Sequence, residues 1–107
     1  MTNGSMHLVQ ILLPLYDNEQ NPQPPDHFRR VRQELTDRFG GITVYTRAPA
    51  EGTWKLNDNH TTRDDIVIVE VMAPELDCDW WSTYRHDLEA RFRQDLIVIR
   101  AQQTRLL

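Results

Sequence analysis

The segment Ile66 to Ala73, IVIVEVMA, is apolar at seven of its eight positions and opens with four branched residues in succession. Branched side chains are stiff at the first torsion and pack well on a pleated surface, so the segment reads as a strand. Successive strand residues point to opposite faces. Val67, Val69, Val71 and Ala73 therefore form one set, and Ile66, Ile68, Glu70 and Met72 the other. A sheet open to water on one side alternates apolar with polar residues. Here both sets are apolar, with Glu70 the single interruption, so both faces need cover. The run His7 to Tyr16, HLVQILLPLY, divides likewise into Val9, Ile11, Leu13 and Leu8, Gln10, Leu12, with Pro14 ending its ladder. Leu96 to Ala101 divides into Ile97, Ile99, Ala101 and Leu96, Val98, Arg100.

The first cover is helical. Phe28, Val31, Leu35 and Phe39 recur at spacings of three and four, one apolar stripe flanked by charged residues. Asp26 is the expected N-cap after Pro24 and Pro25, and Gly40 with Gly41 closes the helix. Trp81, Tyr84, Leu88 and Phe92 form a second stripe, with Asp77 or Asp79 as its cap. Ile42 to Arg47 alternates as a strand. Thr53 to Thr62 reads as a minor hairpin, turned by Asn57, Asp58 and Asn59. DNEQNPQPP, residues 17–25, is a loop, and the residues after Ala101 read as a polar tail.

The order is strand, helix, strand, minor hairpin, strand, helix, strand. This is the split βαβ arrangement of ferredoxin-like folds. The expectation is an α+β, ferredoxin-like βαββαβ sandwich with an antiparallel sheet, two helices on one face and an extra hairpin. A chain of 107 residues suits one such domain. Residues 1–5 read as a disordered leader or cloning remnant, and residues 6–107 as the single domain.

The helix-free face would then carry Leu8, Leu12, Tyr45, Ile68, Met72, Leu96 and Val98, a patch that in a lone molecule marks an interface. This pattern resembles the dimeric α+β barrel group of ferredoxin-like proteins, whose sheets face each other across a two-fold axis. The resemblance implies a homodimer. The group holds cofactor-free monooxygenases, lactone isomerases and haem-handling members, so it leaves the activity open. A local likeness, carried by Gly52, Trp54, Arg63 and Asp64 in GTWKLNDNHTTRD, is to an uncharacterised bacterial domain family.

Composition narrows the chemistry. Twelve Lys and Arg stand against sixteen Asp and Glu, a net charge of −4, which argues against nucleic acid as a partner. One cysteine, Cys78, rules out an internal disulfide framework, iron–sulfur ligation and CxxC metal sites. Its place near a helix start favours thiolate, while Asp77 and Asp79 oppose it, so it reads as incidental. The four histidines share no metal-ligand spacing, with His7 the one nearest a barrel mouth, and no metal or cofactor is expected. Neither a glycine-rich phosphate loop nor an aromatic RNP strand is present. No apolar run approaches the roughly 20 residues of a membrane span, and no signal peptide precedes the domain, so the expectation is a cytoplasmic protein.

Three polar residues interrupt the apolar second face: Gln10, Glu70 and Arg100. With Glu70 and Arg100 on adjacent strands they would reach each other, joined by Tyr45 and Arg47. Trp54 belongs to the same candidate set, in a cleft between the sheet and the Thr53 to Thr62 hairpin. A carboxylate in an apolar cleft can serve as a base while arginine holds an anion. The same residues can instead order an interface or face water. Two function classes follow: a small-molecule enzyme or binding protein, and a non-catalytic assembly or regulatory module.

Overall fold

The computed structural model describes residues 5–48 and 66–107. Its elements are β1 (Ser5–Pro14), α1 (Pro25–Phe39), β2 (Thr43–Ala48), β3 (Ile66–Ala73), α2 (Cys78–Arg91) and β4 (Val98–Arg105). The four strands form one open antiparallel sheet in the order β2-β3-β1-β4. Both βαβ units are split: β3 lies between β1 and β2, and β1 lies between β3 and β4. This α+β architecture is compatible with the ferredoxin-like fold expected from the sequence. The hairpin expected at Thr53 to Thr62 lies outside the described residues.

The order places the two most apolar strands at the centre, where neighbours satisfy both edges of each backbone. Val9, Ile11 and Leu13 of β1 and Val67, Val69 and Val71 of β3 bury one face of the sheet. Against them pack Val31 and Leu35 of α1 and Trp81, Tyr84 and Leu88 of α2, with Phe92 and Ile97, in a single core. Each large apolar side chain so buried stabilises the fold by about 1.5–3 kcal/mol. Both helices thus cover the same face.

The helix ends differ in part from expectation. Pro25, not a residue after it, opens α1, and Pro24 is the cap without a side-chain bond. Proline is suited to the first helical position because its fixed φ is already helical and its missing N–H was unpaired anyway. Asp26 sits one residue inside, where it pairs with Arg29 and favours the helix dipole. Gly40 ends α1 with φ +83°, as expected, its N–H bonding the carbonyl of Thr36. Asp77 caps α2, its carboxylate accepting from the Trp80 N–H at 3.0 Å.

Two strands have other bounds than the sequence pattern gives. β1 begins at Ser5, which pairs with Arg105, and ends at Pro14. β4 continues to Arg105, so the residues read as a polar tail are strand. Their polarity reflects an edge position: β4 is exposed over most of its length. Leu96 precedes β4 and stays largely exposed. His7 pairs with Ala73 and shares the parity of Val9, which puts it on the helix-covered side of β1 rather than the open face. Among the described residues, no helix is long and apolar enough to cross a membrane.

The loop between β1 and α1 is tied to the end of α2. The buried Gln23 donates from Nε2 to the Phe92 carbonyl at 2.6 Å, and Gln94 donates to the Tyr16 carbonyl at 2.8 Å. Asp17 orders the turn by accepting the N–H groups of Glu19 and Asn21 at 2.8 and 2.9 Å. Those backbone bonds, that of Asn21 foremost, hold its pKa below the ordinary carboxylate value.

Candidate functional site

Strand register arranges the helix-free face in rows that run across the sheet. Tyr45 pairs with Ile68, Ile68 with Leu12, and Leu12 with Val98, giving one apolar row over all four strands. The next row is polar throughout: Thr43 opposite Glu70, Glu70 opposite Gln10, Gln10 opposite Arg100. Beyond it stand Met72, Leu8 and Gln102. Tyr45, Met72 and Val98 are 48%, 41% and 43% exposed, so this face is open to solvent in the single chain.

Glu70 and Arg100 are not on adjacent strands, which corrects the sequence expectation. β1 runs between them, so about 10 Å of sheet, two strand spacings, separates their backbones. Gln10 fills the gap. Its Nε2 donates to Glu70 Oε2 at 3.2 Å, and its Oε1 accepts from Arg100 Nε at 2.8 Å. Only this amide orientation presents a donor to the anion and an acceptor to the cation, so the flanking charges decide it. Tyr45 is the diagonal neighbour of Glu70 across β2 and β3. Hydrogen bonding to Glu70, then its charge, then burial, raise the phenol's pKa.

Among the described residues, neither Glu70 nor Arg100 forms an ion pair. Three of the six candidate residues are therefore joined in one hydrogen-bonded line, Glu70, Gln10 and Arg100, with Tyr45 diagonal to the carboxylate end. Arg47 belongs to β2, but its side chain lies outside the described residues, as does Trp54. Thr43 was absent from the sequence-based set. It enters the row because the register of β2 on β3 sets it opposite Glu70.

Among the described residues, the line does not converge on one cavity. An open groove of about 690 Å³ lies toward the β2 edge, bordered by Glu70, Tyr45, Thr43, Leu8, Met72 and Phe39. Arg100 borders a different groove, of about 430 Å³, between β4 and the start of α2. No three metal-binding side chains cluster among the described residues. Chemically, the face offers an anion and a cation held apart on an apolar plate.

A second polar cluster, on the helical side, escaped the sequence reading. Arg91 donates to both carboxylate oxygens of Glu34 at 2.8 and 2.9 Å and to Asp87 at 3.0 Å. Tyr84 donates its hydroxyl to Glu34 at 2.9 Å. Burial opposes ionisation of Glu34, but the bonds from Arg91 and Tyr84 outweigh it and lower the pKa. Burial, and then the bond to Glu34, raise that of Tyr84. This cluster clamps α1 to α2. The spacing of Tyr84 and Arg91 by two turns was the one legible sign of it, and nothing in the sequence pointed to Glu34 as the partner.

No family model, curated protein or solved structure matches this chain.

Proposed function

We propose that this chain is a ferredoxin-like domain that works as a homodimer through its helix-free sheet face, in the manner of the dimeric α+β barrels, and that its role is assembly rather than catalysis. The strand order and the two split βαβ units support the fold. The row Tyr45, Ile68, Leu12, Val98 carries the dimer: four apolar side chains aligned across a face with no cover among the described residues. A face of four strands and about eight residues measures roughly 19 by 26 Å. Two such faces in full overlap bury about 1,000 Å², about the least area of a biological interface. Among the described residues the candidate polar side chains run along this face and Glu70 and Arg100 border different grooves, which favours ordering of an interface over chemistry.

Sedimentation equilibrium at micromolar concentration is the test. A species of twice the 12.7 kDa chain mass is expected; a monomer throughout the range would remove the reading.

A second reading keeps a small molecule at the groove beside Glu70 and Tyr45, whose volume falls in the range of ligand sites. A phenol with a raised pKa stays a hydrogen-bond donor. Mass spectrometry of the purified protein should then find a bound compound that is lost in Tyr45→Phe and Glu70→Gln.

A further inference from the structure

We infer that Glu70 and Arg100 form a self-complementary key, each pairing with the other residue on a second copy of this chain, so that the two charges set the direction of the two-fold axis. The inference rests on the face-to-face dimer proposed above. It starts from an imbalance on the open face: an anion on β3 and a cation on β4, neither with a counter-ion among the described residues. They lie in one row, symmetrically placed about Gln10 on β1.

Two in-plane axes can bring this face onto itself. An axis across the strands, through the polar row, sets Glu70 over Glu70 and Arg100 over Arg100. An axis along β1 exchanges the β3 side with the β4 side and sets Glu70 of each copy over Arg100 of the other. Each axis lays apolar on apolar in part. The first puts Ile68 against Met72 but Val98 against Gln102, whereas the second puts Ile68 against Val98 and Leu12 against Leu12 but Met72 against Gln102, and leaves Tyr45 of β2 beyond the partner's edge. The charges favour the second, because like charges brought together out of water repel while opposite ones attract.

The reach is adequate. Facing sheets stand about 10 Å apart, a gap that one glutamate and one arginine side chain span between them. A relative rotation of about 30° between packed sheets displaces groups so close to the axis by only about 2–3 Å. Arg100 uses Nε for Gln10, which leaves its two terminal nitrogens to grip a carboxylate. Gln10 sits on the axis and braces both keys. The isologous interface follows: one patch, used twice.

The experiment is a charge exchange. Glu70→Arg and Arg100→Glu are purified separately, checked for folding by circular dichroism, and measured by sedimentation alone and as an equimolar mixture. Each variant alone should dimerise about 30-fold more weakly than the original chain. The mixture should form a heterodimer within about threefold of the original affinity, because both contacts are then opposite in sign. An original chain that dimerises while the mixture stays as weak as the single variants overturns the key and leaves the dimer standing. Single variants that dimerise unimpaired overturn it too. An original chain that never dimerises removes both. Should either variant fail to fold, the original chain decides: its dimer dissociation constant should rise about tenfold between 50 mM and 500 mM salt, and a salt-independent constant overturns the pairing.

Discussion

Replacing Glu34 with methionine removes the carboxylate that joins α1 to α2. Arg91 then loses two of its three charge-assisted hydrogen bonds, those at 2.8 and 2.9 Å, and Tyr84 loses the acceptor for its hydroxyl. The Arg91 side chain is only 7% exposed, so its charge cannot turn to water without opening the helix pair. Breaking a fully buried ion pair costs about 3–5 kcal/mol. Here Asp87 still holds one guanidinium nitrogen. The Glu34 side chain is also 37% exposed, so solvent screens the pair. Both reduce the expected loss to about 2 kcal/mol. For a domain of this size, that lowers the melting temperature by about 8–12 °C. Circular dichroism melts of Glu34→Met, Arg91→Met and the double variant form the assay. The double variant should be more stable than the sum of the single losses implies, since it leaves no unpaired charge. Additive losses, or a single loss under about 0.5 kcal/mol, would refute the clamp. The clamp also has a pH signature. Glu34 has its pKa lowered in the folded state from an ordinary 4.5, so its stabilisation is complete above that value. It is lost as the pH falls through the lower, folded pKa. The Glu34→Met variant should therefore lose less stability than the original chain when acidified below pH 4.5.

Ile68→Asp, at the centre of the apolar row, should convert the proposed dimer to a folded monomer, read as halved mass with an unchanged circular dichroism spectrum; a dimer that survives would place the interface elsewhere. Gly40→Ala should cost about 1 kcal/mol in denaturant unfolding, entirely through the backbone at φ +83°, since nothing lies within 4 Å of the added carbon; a neutral result would refute the left-handed helix end. Asp77→Ala should cost about 1 kcal/mol by removing the cap bond to Trp80, whereas Asp79→Ala, one residue past the start of α2, should cost less; equal losses would point to helix-dipole effects alone.

The periodicities of the chain determined most of its local structure. Spacings of three and four marked both helices, and period two marked the strands and divided each into two faces. The same pattern exposed Gln10, Glu70 and Arg100, because a polar residue inside an apolar strand is conspicuous when its neighbours on that face are apolar. Element boundaries were less legible where position, not composition, sets the outcome. Gln102 to Arg105 resemble a tail, yet an edge strand needs only backbone bonds to β1 and can leave its side chains in water. The pairings were not legible at all. Whether Glu70 touches Arg100 depends on strand order, and the insertion of β1 turned an expected ion pair into a line bridged by Gln10. Glu34 and Arg91 look like ordinary solvated helix charges in sequence, fifty-seven residues apart. Side-chain chemistry and periodicity are local properties, written residue by residue. Partnership between distant residues arises only when burial of the shared core brings α1 over α2 and β1 between β3 and β4.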